Sequence, residues 1–230
     1  MKSSDAFEKW NCFYRDGINT GQVALWPNES LVRLLKGAYF PWHKNSYAGD
    51  KVIDIGFGSG NNLMLCGSLG MSLFGTEIHS DICLQTADLL SQLGYSAELK
   101  EGHNRSIPFD NETFDYLISW DVVHYEGEES RICDAFAEYA RVLKTGGRMF
   151  LSTVAPEHTI LKNSTVTGPH QYKIGRDDDF RKGQVFFYFD SSRYLEFYLS
   201  PHFSQIQIGR STLNYFFETN DTFLVTATKT

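Results

Sequence analysis

Hydrophobic runs and amphipathic stretches alternate along the chain from Lys51 onward. Each short run rich in β-branched or aromatic residues is followed by a longer stretch in which apolar residues recur at helical spacing. Such alternation is typical of parallel strands joined by crossover helices. The pattern therefore predicts an α/β fold built on one sheet.

Seven runs have the length and composition of strands, and four stretches have the periodicity of helices. The predicted strands are Lys51 to Ile55, Ser72 to Glu77, Ser96 to Leu99, Phe114 to Trp120, Arg148 to Thr153, Phe203 to Arg210 and Thr222 to Thr228. The predicted helices are Glu29 to Tyr39, Asn61 to Gly70, His79 to Leu93 and Glu128 to Leu143, the last followed by the helix-stopping pair Gly146-Gly147.

Two segments fall outside the alternation. The first is residues 1–48, rich in Trp and Tyr, which we expect to form a helical lid; the second is a polar, cap-like insertion at about residues 156–190. Both could cover a site at the sheet edge, or both could be surface elaboration without function. A chain of 230 residues buries one sizeable core, so a single domain over residues 1–230 is predicted.

The charge balance bears on possible partners. Asp and Glu outnumber Lys and Arg by 28 to 21, which gives a net charge of -7. Binding to a nucleic acid backbone needs a basic surface, so no nucleic acid partner is expected. The start of the chain has no apolar run of signal-peptide length, and no window could span a bilayer. We therefore expect a cytoplasmic protein without a membrane partner.

The four cysteines do not indicate a metal site. Cys12, Cys66, Cys83 and Cys133 lie far apart and form no C-x-x-C pair. Neither a zinc site nor a dense disulfide framework is predicted, and we interpret these residues as reduced thiols.

The strongest local signal is a glycine-rich turn after the first strand. Residues 52–62 read VIDIGFGSGNN, a buried strand that turns sharply into a helix. Glycines at such a turn let the backbone approach a ligand closely. A dinucleotide-binding loop would need G-x-G-x-x-G, but position 61 is Asn, so the pattern is G-x-G-x-G and fits nicotinamide cofactors poorly.

An acidic residue stands where a nucleoside could use it. The second strand ends at Glu77, twenty-one residues beyond Gly56. A carboxylate there can accept hydrogen bonds from both hydroxyls of a ribose. The combination of loop and acid indicates an adenosine-containing ligand.

These residues resemble the class I S-adenosylmethionine-dependent methyltransferases. Besides Asp54 to Gly60 and Glu77, the stretch RSIPFDNETFD at residues 105–115 is similar to the family's x-x-L-P-F…D-x-x-F-D pattern. RVLKTGG at residues 141–147 resembles its R-x-L-K-P-G-G turn, with Thr145 in place of proline. The resemblance implies a Rossmann-like, seven-stranded, mostly parallel sheet with helices on both faces and an antiparallel last strand.

The resemblance also implies a cofactor and the residues that bind it. The cofactor is S-adenosyl-L-methionine, with S-adenosyl-L-homocysteine as product. The glycine loop holds its methionine end, and Asp54 orients this loop or approaches the ammonium group, unless it only caps the following helix. His103-Asn104 replaces the family's Asp-Ala pair beside the adenine. The implied cofactor-binding residues are Asp54, Gly56, Gly58, Gly60, Glu77, Ile78, His103, Asn104, Trp120, Tyr14 and Trp26.

Residues that could act on the acceptor follow the fourth strand. Ligands of such sheets bind beyond the carboxyl ends of the strands, and residues 119–125 read SWDVVHY there. A hydroxyl acceptor benefits from a general base, so His124 is the predicted catalytic residue, although a packing role is the alternative. Asp121 and Tyr125 share that alternative. His158 and His170, in the insertion, are the next candidates.

The amino-terminal segment supplies amphipathic aromatic residues suited to a lid over the cofactor. Tyr14 and Trp26 could touch the methionine end, or could simply pack against the sheet edge. The lid, the cap and the acidic balance favour methylation of a hydroxyl or amine on a small molecule or glycan. The alternatives are a protein or RNA methyltransferase and a non-catalytic cofactor-binding protein, with a nicotinamide oxidoreductase as a distant fourth.

Overall fold

The computed structural model describes residues 12, 14, 16–17, 20, 26–37, 44–177 and 179–230. Most of the predicted amino-terminal lid lies outside these residues. The strands are β1 Lys51–Ile55, β2 Ser72–Glu77, β3 Ala97–Glu101, β4 Phe114–Trp120, β5 Leu143–Val154, β6 Thr165–Gly168, β7 Gln171–Lys173, β8 Val185–Phe187, β9 Phe203–Tyr215 and β10 Glu218–Lys229. The α-helices are α1 Glu29–Lys36, α2 Asn61–Ser68, α3 Ser80–Gln92, α4 Glu129–Val142 and α5 Ser192–Leu199, with 3₁₀ turns at Val123–Glu126 and Thr159–Leu161.

Seven strands form the main sheet in the order β3-β2-β1-β4-β5-β10-β9. The pairs among β1 to β5 are parallel, and β10 is antiparallel to both of its neighbours. The predicted fold is therefore confirmed, including the antiparallel last strand. The strand order reverses between β1 and β4, so the carboxyl ends of these two strands flank a crevice suited to a ligand.

Helices cover both faces of this sheet because its central strands are hydrophobic on both faces. On one face Ile53, Leu117 and Leu151 belong to a core cluster shared with α4 and α5. On the other face Val52 and Ile118 pack with residues of α1, α2 and α3. The near-continuous apolar runs in β1 and β4 are thus explained by burial from two sides.

Several boundaries differ from the sequence predictions. Helix α1 ends at Lys36 rather than Tyr39, with the Gly37 amide donating to the Arg33 carbonyl oxygen. Strand β5 begins directly after α4, at Leu143, and passes through Gly146-Gly147. Helix α5 was not predicted, although Ser191 caps it by accepting a hydrogen bond from the Tyr194 amide and Leu195 and Leu199 are buried. Its aromatic composition concealed its helical spacing.

The cap-like insertion contains a three-stranded antiparallel sheet of order β6-β7-β8. Strand β8 lies against the 3₁₀ turn that follows β4. A Cβ atom on Gly127 would be 2.8 Å from the Val185 carbonyl oxygen, so this close approach requires glycine. Phe186 of β8 packs with Ile160, Ile174 and Tyr125 in a small cluster of its own. The cap is therefore packed onto the carboxyl edge of the main sheet.

Asp221 of β10 ties the cap to the sheet. Its fully buried carboxylate accepts hydrogen bonds from Arg210 at 2.7 and 2.6 Å, from the Thr212 hydroxyl at 2.8 Å and from the Glu157 amide at 2.7 Å. Burial alone would raise the pKa of Asp221, but these hydrogen bonds outweigh it and lower the pKa.

In the described ranges, no helix has the length and apolar character needed to cross a bilayer.

Replacing Asp221 with Asn should lower the free energy of unfolding at pH 7 by about 2 kcal/mol, because the charge-assisted hydrogen bonds to this carboxylate are weakened, while the partly exposed Arg210 keeps its ion pair with Glu157. Urea denaturation measures this. The folded-state pKa is lowered, so the stabilisation is present above the unfolded-state pKa and is lost as pH falls through the folded-state value. The difference should therefore shrink below about pH 4. Asp110→Asn, at an exposed position, is the control, and equal losses in both variants would contradict the assignment.

Candidate active site

The glycine loop connects the carboxyl end of β1 to the start of α2. Gly56, Gly58 and Gly60 have φ values of 67°, 54° and 76°, a region that favours glycine. A Cβ atom on Gly58 would lie 2.5 Å from the ring of Tyr14, and the Thr86 hydroxyl donates to the Gly58 carbonyl oxygen at 2.8 Å. At Gly58 the loop is therefore contacted by both Tyr14 and Thr86, and a larger side chain there would collide with the Tyr14 ring.

Two buried carboxylates lie beside this loop, one at the end of each adjacent strand. Glu77 accepts hydrogen bonds from the Ile78 amide at 2.9 Å and the Gly58 amide at 3.2 Å. Asp54 is 1% exposed, and no described residue supplies a hydrogen-bond partner to its Oδ2 atom. Burial raises the pKa of both groups, and the neighbouring Glu77 raises that of Asp54 further. A buried acidic pair of this kind is stabilised by a ligand that brings positive charge and hydroxyl donors.

Tyr14 lies over the glycine loop. Burial raises the pKa of its hydroxyl, and the nearby Glu77, Tyr125, Asp54 and Asp121 raise it further. These groups come from three parts of the chain, β1, the end of β2 and the segment after β4, so Tyr14 lies where the two sides of the crevice meet. Its backbone is helical.

Trp26 is placed differently from the prediction. Its side chain is 81% exposed, so the indole ring does not line the crevice. Its carbonyl oxygen accepts a hydrogen bond from Asn61 Nδ2 at 2.9 Å, at the start of α2. The structure thus gives this residue a backbone role, anchoring the segment before α1 beside the glycine loop.

The residues after β3 divide between surface and interior. His103 is exposed and exchanges two backbone hydrogen bonds with Ser106, at 3.1 and 2.9 Å. Asn104 is buried, and both ends of its amide are engaged: Nδ2 donates to Glu126 at 2.9 Å, and Oδ1 accepts from the Tyr139 hydroxyl at 2.5 Å. The Asn104 side chain therefore connects the loop to α4, which leaves its backbone for a ligand.

The end of β4 forms the opposite side of the crevice. Trp120 is half-buried and packs against the same hydrophobic cluster as Tyr14. Asp121 follows it with a φ of 57°, a conformation held by Ser152, whose hydroxyl donates to the Asp121 carboxylate at 2.6 Å and accepts from its amide at 2.9 Å. Burial raises the pKa of Asp121, while Ser152 and Arg181 partly offset this.

His124 is in the interior rather than in the crevice. It is 2% exposed, its ring centroid lies 4.7 Å from that of Tyr125 and 4.6 Å from that of Phe186, and Nδ1 is 3.3 Å from the Thr153 hydroxyl. Burial, with the charges of Arg181 and His158, lowers the pKa of His124 to about 3. A buried imidazole that binds protons so weakly is a poor general base, so the predicted catalytic role does not fit this placement.

The two histidines of the cap are also held by contacts with neighbouring residues. His158 Nδ1 accepts a hydrogen bond from the Ile160 amide at 3.1 Å and so caps a 3₁₀ turn. His170 lies at the turn between β6 and β7, with its ring stacked on Tyr194 at 4.1 Å. Among the described residues, no group of three or more His, Cys, Asp or Glu side chains could hold a metal ion.

Arg181 is a site residue that the sequence analysis did not identify. Its guanidinium forms a two-point contact with Asp179, at 2.7 and 2.6 Å, and it influences the pKa values of Asp121, His124 and Tyr125. It also hydrogen-bonds to the Tyr125 side chain. The D-x-R spacing at residues 179–181 could have indicated the ion pair from the sequence. Only the fold, however, brings this segment to the end of β4.

Comparison with known proteins agrees with this geometry. Residues 52–147, somewhat under half of the chain, match the family model described as a methyltransferase domain. A human protein named probable tRNA methyltransferase 9B is 30% identical over 112 residues, which are 47% of this chain and 22% of that protein. The chain thus aligns with only about a fifth of that curated relative.

Solved structures share the fold over nearly the whole chain. The Burkholderia thailandensis 1,6-didemethyltoxoflavin-N1-methyltransferase, solved with its substrate and S-adenosylhomocysteine, has a TM-score of 0.68 at 15% identity and covers 99% of this chain and 88% of its own. A Pyrococcus horikoshii protein has a TM-score of 0.64 at 20% identity, over 94% and 91% of the two chains. Residues 52–147 are thus similar in sequence to a methyltransferase domain, and the chain shares its fold with the solved methyltransferase structure from Burkholderia thailandensis.

Proposed function

We propose that the protein transfers a methyl group from S-adenosylmethionine to a hydroxyl or amine on a small molecule or glycan. The observation that carries this proposal is the buried pair Asp54 and Glu77 beside the glycine loop. The pair places two buried carboxylates beside the loop, with Asp54 Oδ2 lacking any hydrogen-bond partner among the described residues. The chain 1–230 acts in this proposal as one domain with a lid and a cap.

The residues present fit the cofactor chemically. Asp54 would attract its ammonium group directly or by orienting the loop, and Glu77 would accept hydrogen bonds from the ribose hydroxyls. Ile78 is half-buried directly after Glu77 and offers an apolar surface to the adenine ring. His103 and the backbone of Asn104 border the same side. Gly56, Gly58 and Gly60 allow the methionine portion to approach the backbone, with Tyr14 and Trp120 closing over it.

The acceptor side is built by the end of β4 and the cap. The cofactor supplies a methyl group on a sulfonium, so the protein needs mainly to align the acceptor and exclude water. Asp121, rather than His124, is the group that we assign to accept a proton from the acceptor, because it lies at the crevice and burial raises its pKa toward the working range. Tyr14 and Tyr125 would position the acceptor beside it.

A second candidate is methylation of RNA. It is favoured by the relative named probable tRNA methyltransferase 9B, although the similarity covers only 47% of this chain. The net charge of -7 argues against a polyanionic acceptor, because such a partner requires a basic surface. Screening tRNA together with sugars and amines as methyl acceptors distinguishes the two.

Glu77→Gln should weaken the binding of S-adenosylmethionine at least tenfold, because an anionic acceptor of two hydrogen bonds is lost. Calorimetric titration with S-adenosylmethionine, S-adenosylhomocysteine and NAD measures this, and the wild type should bind the first two and not NAD. Glu101→Gln is the matched control, since Glu101 pairs with Glu77 in register but is exposed on the edge strand. Equal affinities for both variants would remove the ribose assignment, and binding of NAD alone would overturn the proposal.

Asp121→Asn should lower kcat by roughly 10²-fold or more, as expected when a general base is removed, with little change in cofactor affinity. The measurement is transfer of a radiolabelled methyl group to an acceptor found in the screen. In the wild type, the rate should fall at acid pH through a pKa above the usual Asp value, because the carboxylate must be ionised. Unchanged kcat in Asp121→Asn would show that the residue only shapes the loop.

A further inference from the structure

The hairpin of β9 and β10 extends past the edge of the sheet on which the candidate active site lies. Thr222 pairs with Val154, the last residue of β5, and four more cross-strand pairs follow, ending at Glu218 with Tyr215. At the usual rise per residue this overhang is roughly 13 Å long. Strand β10 runs antiparallel to β5, so its amino end and the tip lie beyond the carboxyl end of β5, on the edge of the sheet where Asp54, Glu77 and Asp121 are found.

The tip is apolar and exposed. Phe216 and Phe217 form the two-residue turn and are 101% and 93% exposed, and Tyr215 and Leu213 are 57% and 46% exposed. None of the described residues covers the two phenylalanine rings. The paired strands behind them hold the tip in place, and Thr219 donates to the Asn214 side chain at 2.9 Å. Large exposed apolar groups at one point of a surface indicate an interaction site.

We infer that this hairpin tip inserts into the surface of a phospholipid bilayer. The shape favours such a partner: the tip is convex, and a bilayer accepts a convex apolar group without a complementary pocket. Two phenylalanines offer about 400 Å² of side-chain surface, whereas a stable protein interface needs about 800 Å² from each partner. Behind the two phenylalanines, the partly exposed Tyr215 and Leu213 are interspersed with the polar residues Asn214, Thr219 and Asn220, so polar side chains interrupt the apolar area away from the turn.

Charged residues next to the turn would lie at the depth of the lipid headgroups when the tip is inserted. A depression of about 400 Å³ next to the turn is lined by Lys162, Arg176, Asp177 and Glu218. Arg176 forms an ion pair with Glu218 at 2.8 Å, and Lys162 forms no ion pair with any described residue. Aromatic residues in the interface with a cation at phosphate level are a usual arrangement for peripheral membrane binding. This surface contact differs from the membrane span that the sequence excluded, and it revises the expectation of no membrane partner.

The consequence is an orientation for the proposed active site. With the tip in the interface, the carboxyl edge of the sheet and its cap face the bilayer. An acceptor held at the membrane surface would then reach the crevice without crossing bulk water. The bilayer contact itself does not depend on the proposed methyl transfer, so the two can be tested separately.

The test is co-sedimentation of the full chain with vesicles of phosphatidylcholine containing a minor share of phosphatidylglycerol. The wild type should bind, and the double variant Phe216→Ser, Phe217→Ser should partition at least tenfold less, because two large apolar side chains are removed. Phe197→Ser is the matched control: Phe197 is 67% exposed in α5, away from the tip, and its loss should leave partitioning unchanged. Unchanged titrations with S-adenosylmethionine would show that all variants are folded.

A second measurement tests whether the tip itself enters the bilayer. In Phe216→Trp, the indole fluorescence should shift to the blue when the same vesicles are added, and Phe197→Trp should show no shift. Failure of the wild type to bind vesicles, or equal binding by the double variant, would overturn the inference. Self-association in analytical ultracentrifugation that the double variant loses, without vesicle binding, would also overturn it and assign the tip to a second copy of the chain.

Discussion

The candidate active site depends on the placement of two carboxylates, Asp54 and Glu77, in the interior at the ends of neighbouring parallel strands. Burial raises the pKa of each, and the neighbouring Glu77 raises the pKa of Asp54 further. The Gly58 and Ile78 amides stabilise Glu77 in part, whereas Asp54 retains an oxygen without a partner among the described residues. Such an arrangement costs stability in the isolated chain and is relieved by a cationic, hydroxylated ligand.

The remaining features of the crevice follow from that arrangement. The glycine loop must pass close to the pair, and its positive φ values are available because three of its residues lack side chains. Tyr14 lies over the loop and Trp120 beside it, which limits access of water to the buried charges. A site that excludes water in this way strengthens electrostatic interactions with a bound cation.

The acceptor side is constructed by tertiary contacts of a different kind. Asp121 has an unusual backbone conformation that Ser152 of the neighbouring strand maintains through two hydrogen bonds. The cap adds Arg181, which forms an ion pair with Asp179. The crevice thus gains N–H hydrogen-bond donors whose positive charge is balanced. Asp221 connects the cap to β10, and the same hairpin continues to the apolar tip. Cap, crevice and tip thus occupy one edge of the sheet.

The α/β fold, the glycine loop with Glu77 and the exact bounds of β1, β2 and β4 could be predicted from the sequence. These features are local: an apolar run, its period and a turn that needs glycine can be read without knowing what lies nearby. The positions of His124, Arg181 and Trp26 were decided only by the tertiary structure. Burial, pKa and access to a crevice depend on elements distant in the chain, such as β8 packing onto the 3₁₀ turn after β4 and hiding His124 behind Phe186.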